Sequence, residues 1–193
     1  MSTPFQKAAL ARRSHRSLTA VSTLSDAELE QLVEFALVNS PSTMNSQTSR
    51  VVLLLKEEHV RFWEMAKNGA RKVQEGDHLA NTLLRHSNFQ KGYGTILLFE
   101  DSETYKGSAQ LQDHGAGILH YVLWTSIAEA GMGASLQHQQ SFAQDEAKEA
   151  YSLPATWNLV AQMPFGVVAE GVTLPVKSVV PLETRFKSFG GEK

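Results

Sequence analysis

The sequence predicts an α+β fold in one domain, residues 1–193, with a mixed central sheet flanked by helices. Three observations carry this reading. Leu29, Leu32, Val33 and Ala36 recur at helical spacing, as do Ile118, Leu119, Val122, Leu123 and Ile127. Two short apolar runs, "RVVLLL" at 50–55 and "GTILLFE" from Gly94, read as buried strands. The two kinds of element alternate irregularly, and no repeat, low-complexity tract or Pro/Gly/Ser-rich linker divides the chain.

Residues 4–11 read as a short helix that ends near three arginines. In the next helix Ser25 is the N-cap, Glu28 completes a capping box, and Pro41 stops the chain from continuing. After the strand at 50–55, "EEHVRFWEMAKNGARKV" reads as a helix. The strand from Gly94 ends in Glu100, Asp101 and Glu103, an acidic turn expected in solvent. "GAGILHYVLWTSIAEAG" is a strong helix with Gly131 as its stop. "GASLQ" fits a short strand, and Ser141 with Gln144 suggests a second capping box. "WNLVAQMPFGVVAEG" begins as a strand that Pro164 interrupts. The tail "PLETRFKSFGG" is short and mixed.

Composition excludes several chemistries. There is no cysteine, so disulfides, thiolate metal sites and thiol nucleophiles are out. The formal net charge of -2 gives no overall basic field for nucleic acid. No apolar run approaches the ~20 residues of a spanning helix, and "MSTPFQKAALARR" lacks a signal-peptide core. A cytoplasmic protein with no membrane or nucleic-acid partner is expected. No "GxGxxG", Walker loop, "HExxH" or "GxSxG" occurs. The seven histidines lack a metal-ligand spacing and are expected at the surface or at caps; no metal site is assigned.

Four segments hold candidate chemistry. "RRSHRS" packs Arg12, Arg13 and Arg16 around Ser14, either as an anion site or as a solvated basic loop. "NSPSTMNSQTSR", 39–50, is rich in small polar side chains. Its Asn45 and Gln47 suit a heterocycle edge, or it is a polar helix-to-strand turn. In "AQMPFGVV", Gly166 after Pro164 would let the backbone approach a flat ligand, or marks a bulge or strand end. Arg185 and Lys187 are two apart and share a side on extended chain, either near a phosphate or in a solvated tail.

The order of these segments resembles the flavin-dependent nitroreductase family across nearly the whole chain. "RRSHRSL", "SPSTMNSQ" before a buried strand, "GMGASLQ" after a long helix, "MPFG" and a terminal Arg-x-Lys carry the resemblance. "GYGTILLFED" and "PLETRFKSFG" look like its compact bacterial and fungal subgroup, linked to fatty-acid and oxidative-stress responses. The resemblance implies FMN as cofactor, NADPH or NADH as electron donor, and a two-fold homodimer. By the same resemblance Arg12, Arg13, Ser14 and Arg16 would bind the phosphate, ribityl chain and pyrimidine side of FMN. Pro41, Ser42, Thr43 and Asn45 would reach it across the dimer interface, to which the helix from Gly115 to Ala130 would contribute. Pro164, Phe165 and Gly166 would lie against the ring, Gln137 would face the ring or substrate, and Arg185 and Lys187 would complete the phosphate clamp. Asn88 and Lys91 are the candidates for the family's mid-chain flavin contacts.

The chain departs from the family in being short. It lacks an extra helical excursion over the active site and places Thr48 and Ser49 where an aromatic is usual. The implied activity is ping-pong reduction of a nitroaromatic or quinone by NAD(P)H. No catalytic side chain is assigned. The alternative is a flavin-binding regulatory or stress-sensing protein with incidental turnover.

Overall fold

In the computed structural model, residues 2–191 are described. The order is α1 (Pro4–Ala11), α2 (Asp26–Asn39), β1 (Ser49–Leu55), α3 (Lys56–Val73), α4 (Gly76–Phe89), β2 (Gly94–Asp101), α5 (Ala109–Glu129), β3 (Gly133–Ala134), α6 (Gln140–Ala150) and β4 (Trp157–Gly166). The strands form one sheet in the order β1-β2-β4-β3. The expected mixed sheet is antiparallel across its named strands; the one parallel pairing described is the Ser14–Ala134 bridge.

Helices cover both faces of the sheet. Leu29, Val33 and Ala36 of α2, with Leu119, Leu123 and Ile127 of α5, pack on Ile96, Leu98, Ala161, Met163 and Phe165. On the other face Phe62, Trp63 and Ala66 of α3, Phe89 of α4 and Ala143 and Ala147 of α6 pack on Leu97, Phe99 and Leu159. Leu159 and Ala161 are two apart, yet they lie in different cores. The register shifts between Leu98 and Phe99, so Leu98 faces Ala161 while Phe99 faces Leu159. The bulge at Val160 turns the strand over.

Several local expectations hold. Both hydrogen bonds of the Ser25–Glu28 capping box form, and Ser40 before Pro41 is already extended. Others fail for identifiable reasons. Pro164 does not interrupt β4, which runs to Gly166 with Pro164 paired to Thr95. The Ser141–Gln144 box does not form: α6 has no side-chain cap, and Gln144 Oε1 accepts from the Leu159 amide at 2.9 Å. β1 is a half-buried edge strand, since only Leu54 in it is buried. α4 is absent from the apolar pattern because two of its three buried positions are Thr82 and His86.

The acidic turn is not solvated throughout. Glu100 is 7% exposed, and Ser49 Oγ donates to its Oε1 at 2.5 Å. Burial raises its carboxyl above the usual range. Asp101 pairs with Arg50 at 3.1 Å.

Two histidines expected at the surface are fully buried. Thr95 Oγ1 accepts from Trp63 Nε1 at 2.9 Å and lies 2.7 Å from His59 Nδ1. His59 Nε2 is 3.2 Å from the Gln90 carbonyl, which only accepts. Neutral His59 therefore carries its proton on Nε2, and Thr95 donates to Nδ1. Burial pushes His59 down to about 4 and also lowers His86. The folded chain thus refuses protons that the unfolded chain takes up between pH 6.5 and 4. Stability should fall as pH drops through that window, by up to about 3 kcal/mol from His59 alone. Urea midpoints at pH 7 and pH 5 check this, and the difference should shrink in His59→Gln.

Candidate functional site

The segment after α1 crosses the end of the sheet and is stitched to it on both sides. The His15 amide donates to the Ala134 carbonyl at 2.9 Å. The Thr19 amide donates to Val167, Val167 to Val21, and Ala169 to Ser17, at 2.8, 2.8 and 3.1 Å. Gly166 permits this seam: a Cβ there would lie 2.3 Å from the Thr19 carbonyl oxygen. The close approach expected at Gly166 is therefore made by the protein's own backbone. Phe165 is fully buried with its ring in the core, and Pro164 is buried beside it.

The seam displays the arginines along one rim. Arg12, Arg13, Ser14 and Arg16 line a cavity of about 340 Å³ with Ser17, Val172, Leu174, Pro175 and Lys177. Lys177 is a cation that no sequence motif singled out. Among the described residues no carboxylate lines the cavity. Three contacts hold the rim in place. The Arg12 guanidinium lies 4.3 Å from the centre of the Trp124 ring, a cation–π distance. Trp124 Nε1 donates to the Ala134 carbonyl at 3.1 Å, the same carbonyl that receives His15. Arg13 Nη2 donates to the Pro175 carbonyl at 2.7 Å and secures the far wall.

Arg12 Nε on the rim, and Nδ1 of the neighbouring His15, which does not line the cavity, are buried without a hydrogen-bond partner among the described residues. Such atoms carry a desolvation cost that a bound acceptor would relieve. Desolvation, with Arg13 nearby, holds His15 below the ordinary imidazole value. A cluster of guanidinium groups, a lysine and a hydroxyl around a carboxylate-free cavity suits a phosphate.

The other expected site residues lie elsewhere on this chain. Pro41 and Ser42 line a second cavity, of about 220 Å³, with Gln47, Arg50 and Gly115. The loop around them is strained: Met44, Asn45 and Gln47 all have positive φ. Thr43 Oγ1 ties it to α5 by donating to the Leu111 carbonyl at 3.1 Å, and Ser42 Oγ accepts from the Gln47 amide. Gln137 is buried, pairs its backbone with Gln162 and donates Nε2 to Ser135 Oγ at 2.7 Å. Arg185 and Lys187 are exposed on the tail and take no part in the arginine cavity. A 3-10 turn at Leu182–Thr184 precedes them, so the tail is not extended throughout. Asn88 meets Arg16 in a third cavity, while Lys91 Nζ donates to Asn88 Oδ1 at 3.2 Å.

Among the described residues no helix is long and apolar enough to cross a membrane. No group of three or more His, Asp or Glu there is placed to hold a metal ion.

Known proteins share both the sequence pattern and the fold. Nitroreductase FRM2 of Saccharomyces cerevisiae is 24% identical over 151 residues, covering 72% of this chain and 74% of its own. The solved structure of nitroreductase CinD from Lactococcus lactis, in complex with nicotinic acid, is 25% identical with a TM-score of 0.84. The match covers 96% of this chain and 99% of CinD. The FMN-dependent nitroreductase NfnB of Mycobacterium smegmatis, solved with NADPH, shares the fold at 15% identity and a TM-score of 0.77, over 96% of this chain and 99% of NfnB. A sequence model of the Nitroreductase family matches residues 9–167, most of the chain. The chain therefore belongs to the nitroreductase family, whose activity is that of oxidoreductases.

Proposed function

We propose that the chain is an FMN-dependent NAD(P)H oxidoreductase that reduces nitroaromatics or quinones as a two-fold homodimer. The arginine cavity, with no carboxylate among its described lining residues, carries this reading, and the buried, unpartnered Nε of Arg12 fits a phosphate ester. When bound, FMN supplies the two-electron chemistry between nicotinamide and acceptor.

The protein's own part is placement and charge. Arg12, Arg13, Ser14 and Arg16 would hold the phosphate, ribityl chain and pyrimidine side. A cation at the pyrimidine edge favours the electron-rich state of the ring and so makes the cofactor easier to reduce. Pro164, Phe165 and Gly166, buried at the end of β4, would back the ring's pocket through the seam to Thr19 that carries the arginines. One site serving donor and acceptor in turn implies ping-pong kinetics. CinD, solved with 4-nitrophenol, supports a nitroaromatic acceptor.

A second protomer supplies what one chain leaves apart. Phe35, Val38, Met44 and Ile118 are exposed, as are Val176, Phe186 and Phe189 of the tail. That much apolar surface favours association. It would bring Pro41, Ser42, Thr43 and Asn45, and the tail with Arg185 and Lys187, to the partner's arginine cavity.

Arg12→Ala should retain the fold and weaken FMN binding at least tenfold, while riboflavin, which lacks the phosphate, should bind both proteins alike. Fluorescence titration with the two flavins checks this. Equal FMN affinity in variant and wild type would remove the phosphate assignment.

A further inference from the structure

Arg16 lines two cavities, the one it shares with Arg12 and another of about 400 Å³ open to solvent along α4. The second is walled by His78, Asn81, Thr82, Leu84, Arg85, Asn88 and Phe89. Positions 78, 82, 85 and 89 recur at helical spacing, so one face of α4 forms the wall. Its volume suits a small aromatic molecule. Leu84 provides exposed apolar surface, the buried Phe89 backs the wall from the core, and two arginines and a histidine provide positive or donor groups.

Among the described residues no carboxylate is present in this lining either. Five cations elsewhere pair with acids, Arg50 with Asp101, Lys56 with Asp26, Arg61 with Glu58, Lys67 with Glu64 and Lys106 with Glu103, while others such as Arg71, Lys91 and Lys148 bond to neutral oxygens. Among the described residues neither Arg16 nor Arg85 forms an ion pair. Arg16, and Asn88 as the expected mid-chain flavin contact, are accounted for by the flavin site proposed above, so this cavity adjoins it. Arg85 lies on another element, in the same cavity, with nothing assigned to it.

We infer that this cavity is the acceptor end of the site and that it selects aromatic acceptors bearing a carboxylate, with Arg85 forked onto the carboxylate and His78 beside it. The inference rests on the proposed FMN function and specifies its substrate class. For a nitro-substituted acceptor the balance is NAD(P)H + H⁺ + ArNO₂ → NAD(P)⁺ + ArNO + H₂O. One N–O bond breaks, its oxygen leaves as water, the nitro nitrogen is reduced by two electrons and the nicotinamide is oxidised. The carboxylate of the acceptor takes no part in the chemistry and serves only to place the ring.

The test compares 4-nitrobenzoate with 4-nitrobenzamide, its neutral isostere, in the FMN-loaded wild type, Arg85→Gln and Arg85→Glu. The ratio of the two kcat/KM values should fall on the order of tenfold in Arg85→Gln and further in Arg85→Glu. Comparing the ratio between proteins cancels the intrinsic reactivity of each acceptor and any general loss of active enzyme. A second readout needs no turnover. Benzoate should bind the oxidised wild type about tenfold more tightly than benzamide by calorimetry, and Arg85→Gln should abolish the difference. A ratio and a benzoate preference that Arg85 does not move would overturn the inference. So would an Arg85→Gln effect confined to the KM of NADPH, which would assign the arginine to a nucleotide phosphate. A chain that takes up no FMN would overturn the proposed function and this inference together. A flavoprotein that turns over both acceptors with a ratio indifferent to Arg85 would overturn this inference alone.

Discussion

Trp63→Ala is expected to lower stability by about 3–5 kcal/mol, on the order of 10 °C in Tm for a chain of this size. Trp63 is fully buried. Its ring centroid lies 5.3 Å from Phe62, 5.3 Å from His86 and 5.0 Å from Phe89. Its indole nitrogen donates to Thr95, the hydroxyl that orders His59. Truncation therefore opens a cavity among three rings and removes a donor from a buried network. Trp63→Phe keeps most of the ring volume and loses the donor, so it should cost less, about 1–3 kcal/mol. Chemical denaturation of the three proteins at one concentration checks the order. Equal losses for Phe and Ala would mean that the hydrogen bond, rather than the packing, carries the effect.

Gly166→Ala should affect the fold and the site together. Its Cβ would sit 2.3 Å from the Thr19 carbonyl oxygen and 3.0 Å from the Tyr93 amide nitrogen. Both neighbours are backbone, so neither can rotate away. The Thr19 segment must move, and with it the seam that begins at Ser14. The stability cost should be about 1–3 kcal/mol. The larger effect should be on the cofactor, because Arg12 to Arg16 are displaced from their common cavity. FMN affinity should fall at least tenfold even where the variant remains folded at the assay temperature. Titration with FMN, alongside a melting curve, separates the two effects. Wild-type affinity in a folded Gly166→Ala would show that the seam does not set the arginine rim.

The legibility of this chain followed the strength of its local signals. The Ser25–Glu28 box and the apolar stripes of α2 and α5 were readable because burial there is carried by aliphatic residues at helical spacing. α4 was not, because its buried face is built from Thr82, His86 and Phe89 and its first turn has no side-chain cap. Gly166 drew notice as a place where backbone comes close, but its partner, Thr19, is 147 positions earlier and no local pattern could name it. The same limit applies to Lys177, Trp124 and Arg85. Each gains its meaning from a long-range contact or a shared cavity. The arginine cluster was visible as a charge anomaly. What sequence did not show was the seam that aligns it or the buried, unpartnered Nε of Arg12.

The most direct measurement is the visible absorption spectrum of the purified protein, before and after NADPH or NADH is added without oxygen. The account predicts a yellow protein, as isolated or after FMN is supplied, whose flavin absorption bleaches on addition of one of the nicotinamides. A colourless protein that takes up no added FMN would contradict it and leave the arginine cavity to another anion.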